Sequence, residues 1–170
     1  MKTTTKPREK LSTVKKKAWA AFSEYIRTRD CLRTTGCSSF GLCITCGKRN
    51  HFKLLQAGHF IAGRHNAVLF SEKGVHAQCY NCNVNLKGAT LEYRRKIIEM
   101  YGKGFDEYLE YEATRTVKLS IQDCKLIEKY YKQKTKELLT GGIVDTKYMQ
   151  SQSANIEESL KRWRDNERTL

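Results

Sequence analysis

No stretch of this 170-residue sequence is apolar for anything near the ~20 residues a membrane helix needs, so no membrane-spanning helix is expected. The first residues, Met1 to Lys17, are basic and lack the apolar centre of a signal peptide, which points to a cytoplasmic protein (host cytoplasm if phage-encoded). There is no internal repeat, no low-complexity block and one proline, Pro7. Acidic residues are scarce: 18 Asp+Glu stand against 32 Lys+Arg, a net charge of +14. A chain so basic either carries strong self-repulsion or binds a polyanion, and nucleic acid is the commonest such partner. With 39% hydrophobic and 29% charged residues the composition is that of a globular protein.

Seven cysteines are plentiful for a reducing compartment, where disulfides are disfavoured and metal binding is the leading use of closely paired thiols. Cys43 and Cys46 form one C-x-x-C pair, and Cys79 and Cys82 another. Two intervening residues let both thiolates of a tight turn face one ion, and two such turns complete the tetrahedron zinc prefers. Four thiolates close the coordination sphere, so this zinc is structural. Cys124 falls on an apolar helical face and reads as core; Cys31 and Cys37 are ambiguous, and an exchange of Cys37 for Cys43 as ligand is conceivable.

Hydrophobic periodicity predicts helices over about Ser12–Arg29, with Ser12 as cap, Thr90–Tyr101, with Leu91, Ile97, Ile98 and Tyr101 as the apolar face, Phe105–Thr114, and Ile121–Leu139, with Ser120 and Asp123 as a capping pair. A short amphipathic helix is expected over about Asn155–Arg168. Thr34–Gly47 reads as loop or hairpin, Leu54–Phe60 and Val68–Gln78 as short strands, and a helix begins near Asn83 with Gly88 interrupting it. The expected organisation is a basic flexible arm over 1–11, a single domain over 12–140 and a C-terminal tail over 141–170.

Between the two cysteine pairs lies Gln56-Ala-Gly-His-Phe60, and Asn83 directly follows Cys82. A histidine between the halves of a zinc knuckle, with an amide just past the last cysteine, is the order of an HNH site. The residue types suit phosphodiester hydrolysis. Imidazole titrates near working pH and can take a proton from water, while a side-chain oxygen can hold a hard cation beside the phosphate. The alternatives are a core or zinc-ligating role for His59 and a helix cap for Asn83. Arg64, Lys73 and Lys87, near the site in sequence, suit phosphate contacts or a solvated surface, and Lys15, Lys16 and Lys17 extend the basic N-terminal segment. Arg27 and Arg29 suit DNA, or a pairing with Asp30.

The runs Tyr25-Ile-Arg-Thr-Arg-Asp30, Cys43-Ile-Thr-Cys-Gly47, Gln56-Ala-Gly-His-Phe60, Gln78-Cys-Tyr-Asn-Cys-Asn83 and Tyr93 through Gly102 together resemble the phage NinG/Rap recombination family, over about residues 20–102 and more loosely to about Leu139. The run Cys79 to Asn83 is also similar to the junction resolvase endonuclease VII. The resemblance implies an α+β fold whose zinc-stapled ββα-metal (HNH, His-Me finger) core, about 40–102, is wrapped by N- and C-terminal helices. It implies an endonuclease for branched DNA such as Holliday junctions, with His59 as general base, Asn83 as a ligand of catalytic Mg²⁺ or Mn²⁺, one structural Zn²⁺, and a homodimer to cut two strands. Two departures from the HNH pattern stand out. Gly58 occupies the place where many such sites carry a metal-binding Asp, leaving Gln56, His65 and His76 as candidate second ligands; and Gly74 falls where a bracing Asn is common. A non-catalytic zinc module that binds nucleic acid, or an HNH nuclease of ordinary duplex DNA, are the competing expectations.

Overall fold

The computed structural model describes residues 9–141, so the N-terminal arm up to residue 8 and the helix expected over 155–168 lie outside the described residues. The fold is α+β and mostly helical. Helix α1 runs Leu11–Thr35, hairpin strands β1 Phe40–Leu42 and β2 Arg49–His51 follow, then strand β3 Leu55–His59, a one-turn helix α2 Asn66–Leu69, strand β4 Val75–Cys79, and helices α3 Thr90–Tyr101, α4 Phe105–Thr114 and α5 Ile121–Thr140.

Val14, Ala18, Ala21, Phe22, Tyr25 and Ile26 recur at helical spacing along α1 and are all buried. Their partners are α5, which supplies Tyr131, and one face of the β3–β4 hairpin, which supplies Ala57 and Val75. Helix α5 starts at the expected cap: the Ser120 hydroxyl accepts from the Asp123 N–H (3.1 Å) and the Asp123 carboxylate accepts from the Ser120 N–H (2.8 Å). Among the described residues no helix is long and apolar enough to cross a membrane.

The antiparallel register of β3 and β4 pairs Gly58 with His76 and His59 with Val75. Because successive side chains of a strand point to opposite faces, Leu55, Ala57 and His59 share the α1 side with Val75 and Ala77. Gln56, Gly58, His76 and Gln78 share the other. There α3 packs, through Tyr93, whose hydroxyl donates to the Gly58 carbonyl (2.8 Å). A second core of Phe60, Tyr93, Ile97 and Leu109 ties α3 and α4 to the end of β3.

Several elements differ from expectation. Ser12 lies inside α1, whose N-cap is Lys10 with no side-chain cap, and the helix continues past Arg29 to Thr35. The apolar run from Val68 does not form one long strand: Val68 and Leu69 are buried in α2, and a Ser71–Gly74 turn precedes β4. A short apolar run fits a helical turn or a strand equally well. Leu91 is 73% exposed, because Tyr93 and Ile97, one helical turn apart, set the inward face of α3. After β4 the chain forms a π-helical turn, Asn81–Asn85, which carries Cys82 and Asn83, before α3 begins.

Candidate functional site

The two cysteine pairs meet. Cys43 and Cys46 sit on the turn joining β1 to β2, where the Gly47 N–H donates to the Cys43 carbonyl (2.9 Å) and Gly47 takes φ +69°, a conformation glycine adopts without strain. Cys79 ends β4 and Cys82 lies in the π turn after it. The Ile44 N–H donates to the Ala77 carbonyl (2.9 Å), pinning the turn to β4. All four sulfurs lie within 4.8 Å of one another, and Cys46 Sγ is 3.9 Å from Cys79 Sγ. Four thiolates around zinc at ~2.3 Å stand about 3.8 Å apart, so the cluster fits a tetrahedral ion. Within the cluster hydrogen bonds from the Cys46 backbone and the Thr45 hydroxyl lower the Cys43 thiol against its burial, while burial raises those of Cys46 and Cys82, so the chain without metal favours one thiolate among them and a metal is needed to deprotonate the rest. Cys37 is exposed, Cys31 and Cys124 are buried elsewhere, and none of the three joins the cluster.

His59, the last residue of β3, is half-buried. Its ring stacks on Trp19 of α1 (centroids 4.8 Å apart, planes at 17°), and the Arg64 guanidinium lies 5.3 Å from the Trp19 ring centre. Nε2 is 3.1 Å from the Leu69 carbonyl. A carbonyl only accepts, so Nε2 carries the hydrogen, and Nδ1 of the neutral ring keeps its lone pair. Nδ1 has no protein partner among the described residues. Burial lowers the His59 pKa, the Leu69 hydrogen bond partly opposes this, and the Arg64 charge lowers it further. The imidazole is therefore neutral and able to accept a proton at neutral pH.

On the opposite face of the hairpin Asn83 reaches from the π turn. Its Nδ2 donates to Gln56 Oε1 (2.7 Å), leaving Oδ1 without a hydrogen-bond partner among the described residues. A Cβ placed on Gly58 would stand 2.1 Å from Gln78 Oε1 and 3.1 Å from Asn83 Oδ1. The space that a side chain of residue 58 would take is thus filled across the hairpin by the Gln78 amide. Gln78 is fully buried, and its Oε1 accepts no hydrogen bond, a state that costs about 1–3 kcal/mol if left uncompensated.

Of the other proposed second ligands, Gln56 is the hydrogen-bond partner of Asn83. His65 is exposed at the start of α2. His76 is fully buried with both ring nitrogens engaged: Nδ1 lies 3.2 Å from Asp30 Oδ2, and Nε2 3.2 Å from the Lys73 carbonyl and the Tyr101 hydroxyl. That position corrects the expectation of a ligand role for His76, because no ring nitrogen is left over.

The arginines of α1 are likewise turned inward. Arg29 bonds Asp30 and the carbonyls of Glu72 and Val75, and Arg27 bonds the Ser23 and Phe52 carbonyls and covers the Phe52 ring. Arg29 fastens α1 to β4 and has no guanidinium nitrogen to spare for phosphate, in place of the DNA contact considered for it. Lys15 donates to Asn66 Oδ1 (2.6 Å), and Lys17 pairs with Glu9 (3.7 Å). Lys16, Arg64, Lys73 and Lys87 are exposed, with Lys73 lying over the Tyr101 and Phe105 rings.

Asp30 is the hub of this fastening. Oδ2 accepts the Ala77 N–H (2.7 Å) and Oδ1 pairs with Arg29 (2.9 Å) and Arg33 (3.3 Å). Burial pushes its carboxyl up, but the His76 hydrogen bond and the Arg29 and Arg33 charges hold it at about 2. His76 itself is held below its usual value, chiefly by burial, so at neutral pH the arginines supply the countercharge. The Asp30 pKa in the folded chain lies below the ~3.9 of a free Asp, so its contribution to stability is complete above about pH 4 and fades as pH falls towards 2. Asp30→Asn is expected to cost about 3 kcal/mol in urea denaturation at pH 7 and to weaken the dependence of stability on pH below 4. Parallel pH profiles for variant and parent would refute this.

Sequence reasoning missed the Leu69 carbonyl, the Trp19 stack and Gln78. The carbonyl leaves no trace in residue identity. Gln78 had one: it alternates with His76 on the strand facing Gly58, the position with no side chain.

The family profile described as "Bacteriophage Lambda NinG protein" matches residues 1–140. Protein ninG of Escherichia phage lambda is 31% identical over 124 residues, covering 72% of this chain and 56% of the relative. Protein ninG of Salmonella phage P22 gives the same identity and coverage, and that of Escherichia phage 933W is 30% identical, with 72% and 57% covered. The chain thus spans little more than half the length of the curated relatives it matches. No solved structure matches.

Proposed function

Since this chain belongs to the NinG family of bacteriophage proteins, we propose that it is a metal-dependent DNA endonuclease of the HNH, ββα-metal type, acting on branched recombination intermediates such as Holliday junctions. The observation that carries the reading is the His59 imidazole. It is fixed by the Leu69 carbonyl in the tautomer that leaves Nδ1 basic, at the end of a strand whose next residue back lies beneath the Asn83 carboxamide. The β3–β4 hairpin and the turn bearing Asn83 follow the strand-strand-helix order of such a site, and the four cysteines brace both.

In this reading His59 Nδ1 takes a proton from the attacking water. Asn83 Oδ1 would hold a divalent ion, Mg²⁺ or Mn²⁺, and the chemistry it would supply is neutralisation of the charge that develops in hydrolysis. The products are a 5′ phosphate and a 3′ hydroxyl. His59 ends β3 on the α1 side of the hairpin and Asn83, from the turn after β4, lies over the other side, so the scissile phosphate would have to sit where both reach it. The exposed Arg64, Lys73, Lys87 and Lys16 and the net charge of +14 support DNA as the partner. A homodimer would supply the paired incisions a junction needs.

The same opposite-face placement favours a second reading, a zinc module that binds nucleic acid without cutting it. Labelled four-way junction and a linear duplex of matched sequence separate the possibilities. Preferential incision of the junction is expected. Equal incision of both would remove the junction claim and keep the nuclease.

Arg64 gives a pH prediction. As base, His59 acts deprotonated, so cleavage should rise from acid pH and level off below the ~6.5 of a free histidine. Removing the Arg64 charge, as in Arg64→Gln, relieves one cause of the lowered pKa, and the acid limb should move to higher pH. A rate profile that falls uniformly without moving its limb would mean that Arg64 acts only through DNA.

A further inference from the structure

Two amide oxygens without hydrogen-bond partners converge on the space above Gly58. We propose that Gln78 Oε1, which takes the place of a side chain at Gly58, is the second protein ligand of the catalytic divalent ion, shared with Asn83 Oδ1. The inference rests on the nuclease reading above and supplies the ligand that Gly58 cannot.

The orientation of Gln78 is fixed by its other end. Gln78 Nε2 donates to the Gly88 carbonyl (2.8 Å) and lies 3.4 Å from the Thr45 hydroxyl. A carbonyl cannot donate, so exchanging the Gln78 oxygen and nitrogen would set two acceptors face to face. Oε1 is left facing Gly58, fully buried and unpartnered. Asn83 Nδ2 donates to Gln56 (2.7 Å), which turns Oδ1 to the same place. The two oxygens lie 2.1 and 3.1 Å from the point where a Cβ of residue 58 would stand. Any side chain there, Asp included, would strike the Gln78 oxygen. Gly58 and Gln78 are therefore a matched pair: the oxygen usually delivered from β3 comes from β4.

Side-chain amide oxygens are recognised ligands of hard divalent cations, but these two are neutral. A site without a carboxylate binds Mg²⁺ or Mn²⁺ weakly by itself and needs a DNA phosphate as a further oxygen. Metal occupancy is then coupled to substrate, because the DNA brings the negative charge the protein lacks. The competing arrangement is a metal-free amide chain, with Asn83 turned to donate to Gln78.

The test is Mn²⁺ binding followed by electron paramagnetic resonance on the zinc-loaded full chain, in the His59→Ala background so that a bound four-way junction stays intact. One Mn²⁺ per chain beyond zinc is expected, bound more tightly with DNA than without. Gln78→Ala should weaken it roughly tenfold or more, and Gln78→Glu should tighten it. Gly58→Asp combined with Gln78→Ala should restore binding, because the carboxylate then reaches the vacated space. Zinc content and circular dichroism report whether each variant is folded, and rescue by the double variant cannot come from a misfolded chain. If Asn83→Ala loses Mn²⁺ while Gln78→Ala and Gln78→Glu bind like the parent, Gln78 is not a ligand, and the nuclease reading survives. If the Gln78 variants change only thermal stability, the metal-free amide chain is correct. If the parent binds no Mn²⁺ even with DNA, this proposal and the metal-dependent reading fall together.

Discussion

Cys43→Ser is expected to lose zinc and to lower the thermal midpoint by more than about 10 °C, since structural zinc contributes many kcal/mol and each kcal/mol moves the midpoint of a domain this size by several degrees. The reason is topological. The cluster joins the turn after β1 to the end of β4 and the π turn that carries Asn83, and only the small group of Cys43, Cys79, Cys82 and Ala89 packs there. The loss should be uneven. Helices α1 and α5 hold each other through Phe22, Tyr25, Ile26 and Tyr131, away from the cysteines, so helical circular dichroism should fall less than hairpin protection from hydrogen exchange. One zinc per chain by elemental analysis, absent from the variant, checks the first part. Equal stability of Cys43→Ser and parent, or a zinc content near zero in both, would show that the cluster is a set of buried thiols.

His59→Ala is expected to reduce DNA incision by about 10²- to 10⁴-fold, the range typical of a lost general base, with DNA binding retained. The substitution also removes the ring that stacks on Trp19 and bonds the Leu69 carbonyl, so a modest loss of stability should accompany it. Measuring incision well below the melting temperature separates the two effects. His59→Gln carries the sharper test, because its amide can still donate to Leu69 yet cannot take a proton from water. If His59→Gln cut like the parent, the imidazole would be a packing element and not the base.

Much of this arrangement could be read before the fold was known. The two C-x-x-C pairs predicted a single cluster because the spacing restricts what two tight turns can do. The boundaries of α3 and α4 and the Ser120–Asp123 cap followed from periodicity and capping chemistry, which are local. What failed was non-local. In sequence Arg27 and Arg29 suit either DNA or a pairing with Asp30; the fold shows that pairing for Arg29 and turns donors of both onto the carbonyls of Ser23, Phe52, Glu72 and Val75. His76 reads in sequence as a spare ligand, but Asp30, 46 residues away along the chain, is adjacent in space and occupies it (3.2 Å). Gln78 went unnoticed because its meaning depends on the register that sets β4 beside Gly58, and register is not written in either segment alone.

The site is expected to cut DNA. The most direct measurement is scission of an end-labelled four-way junction by the zinc-loaded protein at saturating binding, in Mg²⁺ and separately in Mn²⁺, with a metal-free control. Incision that requires the divalent ion and leaves a 5′ phosphate is the predicted result. Complete binding of the junction with no incision in either metal would contradict the account and leave a zinc-braced DNA-binding module.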